Sequence, residues 1–229
     1  MIKKCAGRIS FLYRHSSSLD FDCRRILCNS LVQPYLDYCC STWYSSLSQR
    51  LKSKLEVIQR RMVKFVYSKD SFYHVDPRDF KNLSWLTFPD RVRFFNLMHV
   101  FKIRAGKAPS YLSVNFRSIA QSHGFNTRRS TYDYVVSRDV AASSQSFVFT
   151  AIKQWNSLPQ SLKCVGSLQC FKTRLKQHLF FRVLIVSGFY RLRNLAVFYF
   201  SIYCVILILF VCRTPLEKSQ RLNGLSLDH

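Results

Sequence analysis

The sequence predicts a mainly α-helical fold: a helical bundle-like domain with short connections, followed by a C-terminal apolar helix. Three observations carry this. Apolar residues recur at helical spacing in separate stretches, and residues that cap or break helices stand at the ends of those stretches. Hydrophobic residues make up 48% of the 229, enough to build a core, which argues against global disorder. Residues 1–180 make up the helical region and 181–229 a tail of different composition.

A first helix is expected from about Asp20 to Leu31, interrupted at Pro34, whose ring crowds the preceding turn and whose nitrogen has no proton to donate. In the second, Leu51, Leu55, Ile58, Met62 and Phe65 follow at steps of 4, 3, 4 and 3 and share one stripe; Ser46 with Gln49 reads as a capping-box start. The third opens at Thr87-Phe88-Pro89-Asp90, a cap with proline in the first turn. It carries Phe94, Leu97, Met98 and Phe101 on one face and ends where Gly106 is followed by Pro109. Val148, Ile152 and Trp155 mark a short fourth helix that Pro159 terminates, with Trp155 in the core. Ser167 caps a fifth, with Leu168, Phe171, Leu175 and Leu179 inward and Lys172, Arg174 and Lys176 outward. Between the third and fourth, Phe116 to Asp139 reads as a loop with a short strand in the alternating residues 131–136.

The charge is the unusual property. Against 12 acidic residues stand 35 Lys and Arg, a net +23. So large an excess repels itself in a compact state and favours a polyanion, either nucleic acid or an anionic membrane surface. All but +3 of it lies in residues 1–190. The densest part is the second helix, where Lys52, Lys54, Arg60, Arg61 and Lys64 interleave with the apolar stripe. Such a face is either merely solvated or tracks phosphates.

Catalysis is not predicted. Tyr35-Leu36-Asp37-Tyr38 looks like a Tyr-x-Asp-Asp polymerase box that lacks its second carboxylate, and no two acidic residues of the chain are adjacent. Two-metal chemistry needs carboxylates that hold the ions about 4 Å apart, so the stretch reads as a helix turn with aromatic packing. The six histidines are scattered singly, and there is no glycine-rich phosphate loop. Nine cysteines occur without a Cys-x-x-Cys pair, which argues for small reduced core residues in an intracellular protein, nuclear or cytoplasmic, and against structural zinc. The N-terminal MIKKCAGRIS is too polar for a signal peptide. No metal, cofactor or small-molecule substrate is implied.

Four stretches, taken together and in order, resemble the C-terminal region of reverse transcriptases from non-LTR (LINE-type, jockey-like) retrotransposons. The first runs from Leu31-Val32-Gln33-Pro34-Tyr35-Leu36-Asp37-Tyr38 to Trp43, and the second is Leu55-Glu56-Val57-Ile58-Gln59-Arg60-Arg61-Met62. The third is Leu83-Ser84-Trp85-Leu86 with Arg91 and then Ala108-Pro109-Ser110-Tyr111-Leu112. The fourth is Trp155-Asn156-Ser157-Leu158-Pro159 with Ser167-Leu168, Phe171-Lys172, Leu175 and Leu179-Phe180. In that family the catalytic aspartates lie upstream of this region. The resemblance therefore implies a thumb-like and post-thumb helical region, without the catalytic palm, that helps to hold an RNA template and DNA primer. The expected partner is RNA or an RNA–DNA duplex, gripped by the phosphate backbone through Lys52, Lys54, Arg60, Arg61, Lys64, Lys172, Arg174 and Lys176. No aromatic residue is singled out as a stacking platform.

Beyond Phe180 the resemblance ends. Residues 195–212 form an 18-residue stretch without a charge, flanked by Arg193 and Arg213. Three readings stay open: a transmembrane helix at the lower limit of length, a buried helix of the domain, or an out-of-frame region read through, since uridine-rich codons specify such residues. If it spans a bilayer, the basic N-terminal side stays cytoplasmic, and the protein is a single-pass membrane protein.

Overall fold

The helix Phe88–Arg104 belongs to two hydrophobic cores at once. Its first turns give Phe88 and Val92 to one core; Leu97, Val100, Phe101 and Ile103 go to the other. The computed structural model describes residues 1–122, 132–136 and 146–182, which fall within one compact unit. These residues are mainly helical, as expected, and among them the β structure is an isolated antiparallel bridge between Ser118 and Tyr134.

The chain begins with α1 (Ile2–Arg14), α2 (Phe21–Leu27), α3 (Gln33–Asp37), α4 (Cys40–Trp43), α5 (Gln49–Val66) and α6 (Pro77–Asn82). After the shared helix α7 come α8 (Ser110–Ser113), α9 (Ile119–Ser122), α10 (Phe147–Asn156), α11 (Gln160–Lys163) and α12, residues 168–182. In the first core α5 buries Leu55, Ile58, Met62 and Phe65 of the expected stripe, together with Val63 and Val66. Leu51 is left exposed in the first turn of the helix. α1 packs against α5 through Cys5, Ile9 and Leu12, a stripe at i, i+4 and i+7 that was not among the expected helices.

Two expected boundaries move. The chain does not break at Pro34: a π-helical turn, Cys28–Val32, leads into α3, whose first turn holds the proline. The wider turn makes room for the ring, and the missing N–H falls where a helix start leaves donors unpaired anyway. The capping box at Ser46 does not form either. Ser48 is the N-cap of α5, and Ser46 Oγ donates to the Trp43 carbonyl at 2.9 Å. A capping box does occur at α6, where Asp76 accepts from the Arg78 N–H (2.9 Å) and Asp79 from the Asp76 N–H (2.8 Å).

Three helices end alike. In α7, Gly106 adopts φ +66°, and the Lys107 and Gly106 N–H groups donate to the Lys102 and Ile103 carbonyls, a Schellman motif. The same pattern closes α5 with Ser68 (φ 52°) and α6 with Ser84 (φ 56°), each exposed. A Cβ in the left-handed region costs about 1–2 kcal/mol, partly offset by the extra freedom glycine has when unfolded. Ser84→Gly is therefore expected to stabilise the domain by about 0.5–1 kcal/mol. A lower urea midpoint than the parent would show that Ser84 Oγ contributes more than its Cβ costs.

In the second core, Ile152 and Trp155 of α10 are fully buried against Phe171, Leu175 and Leu179 of α12. The Phe101 and Phe171 rings stack with centroids 4.4 Å apart, which joins α12 to α7. Ser146 and Ser167 cap α10 and α12 by accepting from the Phe149 and Cys170 N–H groups. Pro159 ends α10 as expected but also opens α11, which was not foreseen. The expected strand is reduced to the bridge at Tyr134: one edge of the segment makes two backbone bonds, Ile119 N–H to the Asp133 carbonyl and Val135 N–H to the Arg117 carbonyl, and the other edge pairs with the Asn156 side chain; Thr131 of that strand lies outside the described residues. So does the whole apolar stretch 195–212.

The cysteines divide. Cys5, Cys28 and Cys40 are buried thiols, but Cys23, Cys39 and Cys164 are exposed, so the expectation of a mostly buried set fails for the described residues. Short elements such as α4 cover only one side of the chain. Burial pushes the Cys28 thiol up to about 12, and burial followed by the Asp37 charge raises Cys40 to about 11. Both stay protonated at neutral pH.

Candidate nucleic-acid interface

Because α5 turns its apolar stripe into the first core, its charged residues fall on the outer face. The chain after α5 then folds back along that face. Between them lies a cleft of about 610 Å³, with Arg60, Arg61 and Lys64 on the α5 side and Tyr73 and His74 on the other. Glu56 is the acidic residue of the lining, and it takes up part of the charge through an ion pair with Arg60 at 3.3 Å. The remaining cations are positioned by neutral oxygens. Lys64 Nζ donates to the Ser71 carbonyl at 2.5 Å, and Arg61 Nη2 to Ser10 Oγ at 3.4 Å. Neither bond neutralises its cation, so the cleft keeps a net positive charge that can face a phosphate.

The opposite wall is firmly placed. The Tyr73 hydroxyl donates to both carboxylate oxygens of Asp79, at 3.2 and 3.1 Å, and Asp79 in turn belongs to the α6 capping box. Desolvation, followed by the hydrogen bond to Asp79, raises the Tyr73 hydroxyl above the ordinary tyrosine value, so it remains a neutral donor. Tyr73 and His74 were missed from sequence, where they stand in a turn without periodicity.

The other expected residues are spread out. Lys52 lies on another side of α5, with its ammonium 5.3 Å from the centre of the Tyr44 ring, and Lys54 is exposed one turn before the cleft. Lys172 and Arg174 are exposed on α12, which packs on the second core. Lys176 is partly covered, with its ammonium 5.7 Å from the Phe180 ring. Burial first, then the charges of Arg91 and Lys172, lowers its pKa from the ordinary lysine value. Cations crowded in this way gain from an anion placed among them. No described contact joins the α12 group to the α5 cleft. Arg182 of α12 reaches Asp90 at 3.7 Å, and Asp90 adjoins Pro89 of the cleft lining.

The motif residues themselves do something else. Asp37, the lone carboxylate of the YLDY stretch, is held in a two-pronged pair with Arg91, whose Nη2 lies 2.6 Å from Oδ2 while Nε bonds Oδ1; Gln33 Nε2 also donates to Oδ1 at 3.1 Å. This ties α3 to α7 across 54 positions of sequence. Gln59, 2% exposed, donates to the Leu86 carbonyl at 2.8 Å. Asn156 pairs with both the N–H and the carbonyl of Tyr134, at 3.0 and 2.8 Å. Around the first stretch, Arg8 lies over the Tyr35 ring at 4.1 Å, and Trp43 stacks on Phe88. Among the described residues no three His, Cys, Asp or Glu side chains converge as a metal site would require. Comparison of the chain with protein-family models, with curated proteins and with solved structures finds no match.

Proposed function

We propose that this chain is a non-catalytic helical module, related to the C-terminal thumb and post-thumb region of non-LTR retrotransposon reverse transcriptases, that binds RNA or an RNA–DNA duplex irrespective of sequence. The observation that carries the binding reading is the cleft in which Arg60, Arg61 and Lys64 stand together on one face of α5. Contacts from such groups go to phosphates, which carry no base information and weaken steeply with salt. The kinship reading draws support from bonds between the resembling stretches: Asp37 of the first meets Arg91 of the third, and Gln59 of the second meets Leu86 of the third. Stretches that hold one another in place are expected to persist together. The non-catalytic reading is supported by Asp37, whose oxygens are taken up by a guanidinium and an amide rather than left for a metal ion.

The test is binding of the purified chain to a labelled RNA–DNA hybrid over a salt series. Arg60→Ala/Arg61→Ala/Lys64→Ala is expected to weaken binding and to flatten the log–log salt dependence by about one unit per lost phosphate contact. An unchanged slope would remove this face from the interface, provided circular dichroism shows the parent helix content.

A second reading, a single-pass membrane protein with a basic cytoplasmic domain, is favoured by the uncharged residues 195–212. Among the described residues no helix is long and apolar enough to cross a membrane. This reading expects the chain in the membrane fraction, released only by detergent. Release by high salt would discard it.

A further inference from the structure

Phe72 is 94% exposed, more than any other large hydrophobic side chain among the described residues. Single exposed apolar residues are common, but this one stands on a loop built to hold it out. Asp70 Oδ1 accepts from the N–H groups of both Phe72 (3.1 Å) and Tyr73 (2.8 Å), an Asx turn around the ring. On one side, Ser71 is tied to α5 by the Lys64 ammonium; on the other, Tyr73 is tied to α6 by Asp79. The backbone is thus fixed on both flanks of a phenyl ring that has no ring partner of its own among the described residues.

The next two residues, Tyr73 and His74, line the cleft that holds Arg60, Arg61 and Lys64. Phe72 does not itself line the cleft but directly precedes two residues that do, so an aromatic face carried next to the cleft and cations within it match the two parts of a nucleotide, base and phosphate. In a duplex the base faces are already stacked on one another; in a single strand they are free to stack on a side chain. We propose that the cleft receives single-stranded RNA or DNA, with one base stacked on Phe72 and the adjoining phosphates on Arg60, Arg61 and Lys64. This rests on the phosphate-binding reading of the cleft above and assigns that cleft a single strand of either nucleic acid.

An anionic bilayer is the other surface that takes an exposed aromatic beside cations. The shape argues against it. A bilayer presents a flat face, whereas here the cations line a concave space of about 610 Å³, within the roughly 300–1,000 Å³ usual for ligand sites.

The experiment titrates the full chain with a short labelled oligothymidine, with a blunt RNA–DNA duplex, and with vesicles of phosphatidylserine and phosphatidylcholine. Phe72→Ala removes an exposed ring and should fold as the parent does. It is expected to weaken oligothymidine binding by roughly five- to a hundredfold, with an unchanged salt slope and unchanged duplex binding; Phe72→Trp should restore the loss. If Phe72→Ala binds the oligonucleotide like the parent while Arg60→Ala/Arg61→Ala/Lys64→Ala flattens the salt slope, the stacking proposal falls and the phosphate reading stands. A loss confined to vesicles also overturns it. A parent chain that binds neither nucleic acid overturns both.

Discussion

Replacing Trp155 with alanine is expected to lower the stability of the domain by about 3–5 kcal/mol, the usual cost of truncating a large buried aromatic residue. Its indole is 0% exposed and sits between the rings of Tyr134 and Phe171, with centroids 6.3 and 5.8 Å away. The truncation opens a void that α12 can fill only by leaving α7, and Phe171 is already stacked on Phe101 there. It also strips the Tyr132 carbonyl of its shorter bond, from Trp155 Nε1 at 2.8 Å, and leaves it the long one from Arg104 Nη1 at 3.5 Å. Trp155→Phe keeps part of the volume but not the bond, so it should fall between the parent and the alanine variant. Urea melts of the three proteins measure this. An alanine variant with the parent midpoint would place Trp155 outside the core.

The position of Trp155 was readable from sequence because its partners lie on periodic helices. Long amphipathic elements such as α5, α7 and α12 announce themselves through spacing, and their caps at Thr87 and Ser167 are local in sequence. α1 escaped notice because Cys5, Ile9 and Leu12 are diluted by Lys3, Lys4 and Arg8, and cysteine is a weak apolar signal. Helices of four residues, α4, α8, α9 and α11, are too short to show a period. The path through Pro34 was unreadable because a π-helical turn leaves no residue signature.

The candidate site divides in the same way. That α5 carries a basic face follows from its sequence, but which cations face a cleft depends on where residues 67–76 return, and that is set by the Schellman turn at Ser68 and the capping box at Asp76. Lys52 and Lys64 are equivalent as letters and differ only in the neighbour each one meets. Phe72 gave no signal at all, since a lone aromatic in a turn has no pattern. The role of Asp37 was hidden for a further reason. Its partner Arg91 is distant in sequence, and nothing in the YLDY stretch points to it.

Asp133→Ala is expected to cost nearly as much as the loss of Trp155, by a different route. Lys163, with a side chain only 5% exposed, donates to Asp133 Oδ1 at 2.6 Å and to the Asn156 carbonyl at 3.0 Å. Truncating the aspartate leaves an ammonium in a site prepared for a pair, and breaking one partner of a buried ion pair costs about 3–5 kcal/mol. The cost of the pair itself is another matter. Desolvating both charges consumes much of what their attraction returns, so replacing both with apolar residues of similar size can be neutral. Asp133→Leu/Lys163→Met is therefore expected to melt closer to the parent than Asp133→Ala does, although Lys163→Met also leaves the Asn156 carbonyl with one donor fewer. The segment 132–136 makes the comparison sharp, because hydrogen bonds to Asn156, Trp155 and residues 117–119 hold it in place without that pair. If the double variant were as unstable as the single one, the ion pair would be what fixes this segment against α10 and α11, and its removal should then also abolish the protection of the Tyr134 amide against hydrogen exchange.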